Sequence, residues 1–212
     1  PESKLTRSKA RWAREGEFLT GKISRPEEAR LPPGQHLTND WPTLDLGLTP
    51  NISRERWRLD VYGAVENPTF WDFAQFAAQP QSRFVTDIHC VTHWSKLGTS
   101  WRGVPVATLF EAVGVGDLPY ALVTSYGGYT TNLDVEDLIG RDAMVAVEFE
   151  GEQLRAEHGG PARLLVPHLY LWKSAKWVTR IELSDYDSPG FWEVAGYHNH
   201  GDPFLEQRYH GD

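Results

Sequence analysis

The chain has 212 residues, of which 40% are hydrophobic and 24% are charged, and its formal net charge is −8. This composition is typical of a globular protein with enough apolar residues for a core, and the length suits one domain. An acidic chain lacks the basic face that nucleic acids and anionic membranes require, so we expect neither as a partner. We also expect no direct membrane span, because no run approaches the roughly 18 apolar residues that a span needs.

Residues 1–35 alternate in charge, lack an apolar period and contain Pro26, Pro32 and Pro33. We interpret them as an N-terminal arm, with at most a short helix at 9–18, and we place the globular domain at 36–212. The first 18 residues lack the apolar centre of a signal peptide, which favours a cytoplasmic protein. Export with a removed leader stays open, since the chain begins at Pro1.

The first elements of the domain surround the only cysteine of the chain. Residues 56–65 alternate as a strand does, and the spacing in 69–79 predicts a helix with Thr69 as its N-cap. Residues 82–90 predict a second strand that ends at Cys90. Beyond it, the two serines, the threonine and the glycine of 95–100 predict a polar loop.

The remaining pattern alternates short strands with short helices. A helix is expected at 106–114, closed by Gly114, and one or two helical turns at 134–140. Further strands are expected within 120–133 (around a Gly-Gly turn), 143–154, 162–168 and 176–186. Strands outnumber helices, so the predicted class is α+β, a single compact strand-rich mixed domain.

Cys90 cannot form a disulfide within the chain, because it has no partner cysteine. A lone cysteine is most often a small buried hydrophobic residue. The end of a strand that leads into a polar loop is, however, a frequent position for a functional side chain. A thiolate at this position would need a positive charge or a metal to stabilise it.

A second unusual segment, 157–178, concentrates cations and aromatic residues in an otherwise acidic chain. Arginine offers phosphate a planar fork, lysine offers a point charge, and Gly159-Gly160 allows close approach of the backbone. We interpret the segment as an anion cradle; a solvated loop with structural cations is the alternative. Its cationic residues are His158, Arg163, His168, Lys173 and Lys176.

Together the cysteine and the cradle suggest a metal held by one protein thiolate and a phosphate-bearing organic ligand. The motifs of P-loop, Rossmann, serine-hydrolase and H-E-x-x-H proteins do not occur in the sequence. Two alternatives stay open at this point. One is a zinc-dependent hydrolase that uses Cys90, His93, His198 and His200. The other is a non-redox binding module for a phosphorylated ligand.

Two stretches identify a resemblance: "DIHCVTHWSKLGTSWRGVPVATLF" at 87–110 and "HGGPARLLVPHLYLWKSAKWV" at 158–178. They resemble the molybdopterin-binding domain of the sulfite oxidase superfamily, and most of all its short bacterial sulfite oxidase-like oxidoreductases. The likeness runs from about residue 36 to the C-terminus. It implies the mixed α+β fold of that superfamily and a molybdenum–molybdopterin cofactor.

The resemblance also implies roles for individual residues. Cys90 stands where the family has the thiolate that binds molybdenum. Tyr197 and His93 would donate hydrogen bonds or protons beside the metal. The residues that would contact the rest of the cofactor are Asn39, Ser125, His158, Arg163, Ser174 and Lys176.

The implied activity is a two-electron oxygen-atom transfer on a small sulfur- or nitrogen-containing substrate. The stretch that resembles the family includes no haem domain, so electrons would be exchanged with a separate redox protein. Sulfite oxidases have an arginine that faces the anionic substrate where this chain has Thr38. Arg102 is the candidate to replace that charge.

Overall fold

The computed structural model describes residues 27–44, 47, 49–139 and 142–212. The possible helix at 9–18 lies outside these residues. Five short α-helices are described: α1 Glu27–Arg30, α2 Phe73–Ala77, α3 Val106–Val113, α4 Val135–Ile139 and α5 Phe191–Val194. Two 3₁₀ turns lie at Ala156–His158 and Leu171–Lys173. No described helix has the length and apolar content to cross a bilayer.

The strands of the described residues form two sheets. The first contains β1 His36–Leu37, β4 Ser82–His89, β5 Trp94–Pro105, β8 Met144–Phe149, β9 Glu152–Gln153 and β10 Arg163–Leu165. The second contains β2 Arg58–Gly63, β3 Thr69–Asp72, β6 Tyr120–Ser125, β7 Thr130–Asp134 and β11 Val178–Ser184. The prediction of a strand-rich α+β domain is therefore confirmed.

The second sheet has the order β3-β2-β11-β6-β7, in which only β2 and β11 run parallel. Strands β2, β6 and β11 alternate buried residues with more accessible ones, since successive side chains point to opposite faces. Leu59, Val61, Val123 and Ile181 are fully buried on the inner face. This face and helices α3 and α4 enclose the larger apolar cluster of the domain.

The prediction for residues 69–79 was wrong in its first half. Residues Thr69–Asp72 form strand β3, which pairs with β2, and the helix begins only at Phe73. Its N-cap is Asp72, not Thr69. Sheet pairing overrides the helical spacing here, because Trp71 is buried in the core from the strand position.

The Asp72 cap is a reciprocal capping box. The Gln75 backbone N–H donates to Asp72 Oδ1 at 2.8 Å, and the Asp72 N–H donates to Gln75 Oε1 at 3.0 Å. We expect Asp72→Ala to lower the free energy of unfolding by about 1 kcal/mol. Urea unfolding measures this loss. Asp117→Ala, a change of the same type outside the cap, should lower stability less, and an equal loss in both variants would contradict the capping role.

The predicted polar loop at 95–100 was also wrong, because these residues belong to the 12-residue strand β5. Its hydroxyls bond within the sheet instead of facing solvent. Thr99 Oγ1 donates to the Thr86 carbonyl at 2.7 Å and accepts from Trp101 Nε1 at 2.8 Å. Gly103 lets β5 approach β8 closely, since a Cβ there would lie 2.1 Å from the Val145 carbonyl oxygen. Cys90 therefore lies in a hairpin between two long strands.

A second apolar cluster lies beneath this hairpin and contains Ile88, Cys90, Trp94, Trp101, Met144 and Leu165. Segment 30–38, which joins the end of the predicted arm (1–35) to the start of the domain, packs along the same hairpin. Arg30 forms an ion pair with Asp87, and the Thr38 N–H donates to the Ser95 carbonyl at 2.9 Å. The fold thus encloses the only thiol between an N-terminal segment and a packed aromatic core.

Candidate active site

Cys90 lies in the tight turn that joins β4 to β5. The Cys90 N–H donates to the Trp94 carbonyl at 2.9 Å, and the His93 N–H donates to the Cys90 carbonyl at 3.1 Å. Gln35 Nε2 also donates to that carbonyl, at 3.1 Å. His93 adopts the left-handed φ of 72° that closes the turn. These bonds fix the direction of the Cys90 side chain, which is 7% exposed.

The surroundings of Cys90 keep the free thiol protonated. Burial raises its pKa, while hydrogen bonding to Thr92 and the charge of Arg208 act in the opposite direction. Its Sγ lies 3.1 Å from Thr92 Oγ1. A metal cation that binds this sulfur must displace the proton, since the thiolate is the ligand form.

Arg208 is a functional candidate that the sequence analysis did not find. Its Nη1 donates to the Val91 carbonyl at 2.8 Å, and its guanidinium lies 4.9 Å from the centre of the Tyr170 ring. It is therefore the cation beside Cys90. Arg102, expected as a candidate substrate cation, instead forms an ion pair with Glu148.

Tyr197 lies within electrostatic reach of Cys90. Burial raises the pKa of its phenol, and the charges of Tyr209 and Cys90 raise it further. The ring packs edge-on against Trp172, with centroids 5.2 Å apart, and against Trp192 at 4.9 Å. Tyr197 therefore presents a protonated phenol near the thiol at neutral pH.

His93 belongs to the same turn as Cys90, but its ring bonds elsewhere. Its Nδ1 lies 2.9 Å from the Gly34 carbonyl oxygen, and the residue is exposed. The ring nitrogen that faces the carbonyl must carry a proton to make this bond. His93 thus ties the turn to segment 30–38.

His158 forms a flat aromatic platform with Trp41. Their ring centroids are 3.8 Å apart and the planes meet at 8°. Burial, with the charges of Arg163 and Arg155, lowers the pKa of His158 to about 4. The imidazole is therefore neutral at physiological pH.

The low pKa of His158 makes stability depend on pH. Between pH 6.5 and about 4 the unfolded chain binds a proton that the folded His158 does not, so stability falls as the pH falls through this window. We expect His158 to account for a loss of up to about 3 kcal/mol by the lower end. His158→Phe, which can keep the stacking on Trp41, should lose less stability than the wild type between neutral and mildly acidic pH in urea unfolding. An equal loss in both proteins would contradict this.

Arg163 is almost fully buried, and its guanidinium is held by main-chain oxygens. Nη1 donates to the His158 carbonyl at 3.0 Å, Nη2 to the Ser174 carbonyl at 2.7 Å and Nε to its neighbour Leu164 at 3.3 Å. The guanidinium also lies 5.5 Å from the centre of the Trp41 ring. Arg163 therefore links the two ends of the cradle, at His158 and Ser174, to the ring of Trp41.

Ser174 and Lys176 lie in the C-terminal part of the cradle segment 157–178. The Ser174 hydroxyl accepts from the Val166 N–H at 2.9 Å. Lys176 Nζ donates to the carbonyls of Leu44, at 2.6 Å, and Glu157, at 3.0 Å. Lys176 thereby clamps the segment that carries Asn39, which is exposed and whose carbonyl accepts from Lys96.

Two of the predicted cradle cations, Lys173 and His168, contact acidic residues outside the cradle. Lys173 is fully buried and pairs with Glu193 at 2.7 Å. His168 Nε2 lies 2.8 Å from Asp137 Oδ1. For Lys173, the alternative of a structural cation is therefore correct, and His168 is likewise held by a structural partner. The anion-binding interpretation is left with His158, Arg163 and Lys176.

In the described part of the chain, two of the buried polar atoms that lack a partner lie on Trp94 at the start of β5, just beyond the Cys90 turn, and on Ser125 at the end of β6. Ser125 Oγ and Trp94 Nε1 make no hydrogen bond within the described residues, although both atoms are inaccessible to solvent. Buried polar groups are normally paired, so these two are suited to a polar ligand. With the thiol of Cys90, they fit a metal cofactor that carries an organic part with hydrogen-bonding groups.

The four residues of the zinc-hydrolase alternative do not come together. His198 Nδ1 accepts from the N–H groups of His200 and Gly201, and His200 Nε2 lies 3.1 Å from Asp137. Within the described ranges, neither Cys90 nor His93 belongs to a group of potential metal ligands. The geometry therefore does not support this alternative.

Comparison with known proteins agrees with this geometry. The family model for the oxidoreductase molybdopterin binding domain matches residues 46–192. The chain is 40% identical over 195 residues to the uncharacterized oxidoreductase YuiH of Bacillus subtilis, which covers 91% of this chain and 98% of that protein.

Two further relatives are larger proteins. A putative protein-methionine-sulfoxide reductase subunit YedZ1 of Azospira oryzae is 30% identical and covers 69% of this chain and 56% of that protein. The protein-methionine-sulfoxide reductase catalytic subunit MsrP of Gluconobacter oxydans is 29% identical, and the match covers 64% of this chain and 49% of that protein. The chain thus spans about half the length of these two relatives.

Among solved structures, the sulfane dehydrogenase SoxCD of Paracoccus pantotrophus superposes with a TM-score of 0.60. The match has 24% sequence identity and covers 66% of this chain and 41% of that chain. At this identity the likeness concerns the fold alone. It agrees with the predicted resemblance to the sulfite oxidase fold.

Proposed function

The chain belongs to the oxidoreductase molybdopterin-binding domain family, and from that premise we propose that it catalyses oxygen-atom transfer on a small sulfur- or nitrogen-containing substrate. The chain is an oxidoreductase, and its cofactor is molybdenum–molybdopterin. The observation that carries the proposal is the rigid turn that holds the single buried thiol of Cys90 beside Arg208 and Tyr197.

The thiolate of Cys90 would hold the metal, and the pterin would lie toward the Trp41–His158 platform and the unpaired Ser125 hydroxyl. Arg163 and Lys176 would supply positive charge for the phosphate, while Ser174 and Asn39 would shape the surrounding loops. When bound, the cofactor supplies the two-electron step in which an oxygen atom passes to or from the substrate.

The protein's own groups would act around this step. Arg208 would compensate the negative charge that Cys90 acquires when its thiol loses its proton. The Tyr197 phenol, which stays protonated at neutral pH, would donate a hydrogen bond or a proton to the substrate oxygen. His93 is a second candidate donor, provided that its ring leaves the Gly34 carbonyl.

A separate protein would deliver or remove the electrons. The names of two relatives support this, since YedZ1 and MsrP are described as a subunit and a catalytic subunit of methionine-sulfoxide reductases. The same names favour sulfoxides as the substrate class, in the direction of reduction. The partner of this chain would dock close to the cofactor, because electron transfer needs short distances.

The proposal is tested with cofactor-loaded protein and artificial electron carriers. Reduced viologen dye would drive reduction of methionine sulfoxide or an aliphatic N-oxide, and ferricyanide would accept electrons from sulfite. We expect saturable turnover with at least one of these substrates. Tyr197→Phe should lower the turnover of that substrate, because it removes the proposed proton donor. Molybdenum-loaded protein that turns over none of them would refute oxygen-atom transfer on this substrate class.

A further inference from the structure

A cluster of possible metal ligands lies outside the Cys90 site. Asp134 at the end of β7, Asp137 in α4 and His200 in the C-terminal segment 196–212 each offer one ligand atom, and these atoms lie within 4.8 Å of one another. Within the described parts of the chain, no other group of three such residues comes this close. The two aspartates are neighbours on β7 and α4, and His200 is 63 positions beyond Asp137, so the fold brings the histidine to them.

The ring of His200 is oriented as a metal-binding histidine usually is. Its Nδ1 lies 3.2 Å from Gln207 Oε1, and the same oxygen accepts from the Asp202 N–H at 3.0 Å. Because this oxygen accepts, Nδ1 must carry the proton, which leaves Nε2 toward Asp137 Oδ2 at 3.1 Å. Two acceptors facing each other in this way require either a second proton on the ring or a cation between them.

Asp137 is oriented in a similar way. Its Oδ1 accepts from His168 Nε2 at 2.8 Å, so Oδ2 is the oxygen that faces His200. Outer hydrogen bonds of this kind, from a ligand to a second residue, fix the ligand direction in metal sites. The side chains of Asp137 and His168 are only 17% and 13% exposed, which limits competing water.

The third proposed ligand, Asp134, takes no part in the hydrogen bonds that join His168, Asp137 and His200. Its main chain pairs with Tyr120 in the sheet, but the exposed side chain of Asp134 makes no hydrogen bond or ion pair within the described residues. One of its carboxylate oxygens nevertheless lies within 4.8 Å of the ligand atoms of the other two residues. Two carboxylates this close repel each other, and a divalent cation is the simplest group that removes the repulsion.

We propose that Asp134, Asp137 and His200 bind a divalent transition-metal cation, of which Zn²⁺ is the representative. One imidazole nitrogen and two carboxylate oxygens are ligands that Zn²⁺ accepts, and solvent would complete the coordination. The ion would fasten the C-terminal segment, which carries Tyr197 and Arg208, to β7 and α4. The site is separate from the molybdenum cofactor and does not depend on the proposed function.

The test is a calorimetric titration of chelator-treated, cofactor-loaded protein with Zn²⁺. We expect saturation at about one Zn²⁺ per chain for the wild type. Asp134→Asn should weaken binding at least about tenfold, as the loss of a ligand or of its outer partner commonly does. This variant keeps the His168–Asp137–His200 hydrogen bonds, so a cluster that serves only as a structural clamp would not be altered by it.

Three controls make the result decisive. Asp185→Asn removes the charge of another exposed carboxylate and should bind Zn²⁺ as the wild type does. Cys90→Ser should also retain binding, which separates this site from zinc captured by Cys90 in chains without cofactor. Zn²⁺ should raise the melting temperature of the wild type but not that of Asp134→Asn. Absence of saturable binding, binding unchanged in Asp134→Asn, or binding lost in Cys90→Ser would each overturn the proposal.

Discussion

Replacement of Cys90 by serine is expected to lower turnover by at least about 100-fold. Loss of a residue that only hydrogen-bonds to a metal ligand can already cost about that much, so loss of the ligand itself should cost no less. Serine has nearly the same volume, so the buried turn and its hydrogen bonds should persist. Its hydroxyl is a hard oxygen that does not ionise at neutral pH and cannot replace a soft thiolate on molybdenum. Steady-state turnover and molybdenum content of the same preparation measure the effect.

Thr92→Val is the matched control for this variant. It removes the hydroxyl that lies 3.1 Å from Cys90 Sγ but leaves the sulfur ligand in place. We expect it to retain turnover within about tenfold of the wild type. Full activity of Cys90→Ser would remove the thiolate from the mechanism, whereas equal losses in both variants would indicate that the turn, and not the sulfur, is essential.

Replacement of Arg163 by alanine is expected to reduce cofactor occupancy severely and to destabilise the fold. The change leaves the carbonyls of His158, Leu164 and Ser174 without their buried donor. Each lost partner costs about 1–3 kcal/mol, because a buried carbonyl without a hydrogen bond keeps its desolvation penalty. The same change removes a buried charge from the predicted phosphate cradle.

Arg83→Ala provides the comparison, since it removes an arginine of β4 whose side chain is 52% exposed and which lies outside the cradle. Molybdenum and pterin content per folded chain should fall in Arg163→Ala and remain near the wild-type level in Arg83→Ala. Circular dichroism at low temperature identifies the folded fraction. Unchanged occupancy in folded Arg163→Ala would exclude Arg163 from the cofactor site.

Local sequence patterns predicted most strands correctly, and they placed Cys90 correctly at a strand end. They failed at 95–100, where serine and threonine suggested a loop. These hydroxyls bond inside the sheet, as Thr99 does with Thr86 and Trp101, so polarity in the sequence did not mean exposure. They failed at Thr69 because β2 pairs with residues 69–72, a contact that spacing within a segment cannot reveal.

The site residues show the same limit. The concentration of cations in 157–178 is visible in the sequence, but the pairing of Lys173 with Glu193 depends on a carboxylate 20 positions further on. Arg208 is 117 positions from Val91, to which it donates beside Cys90. No periodicity links such residues. The resemblance to the family supplied the roles of Cys90 and Arg163, and the coordinates supplied their neighbours.

The central claim is that Cys90 is the protein's ligand to molybdenum in a pterin cofactor. Its most direct test is elemental analysis of the purified chain for molybdenum and zinc, with the fluorescence of the oxidised pterin read on the same sample, from an expression host that makes the cofactor. The account predicts about one molybdenum and one pterin per chain, with both lowered by Arg163→Ala. Absence of both molybdenum and pterin from the chain purified from that host would contradict it.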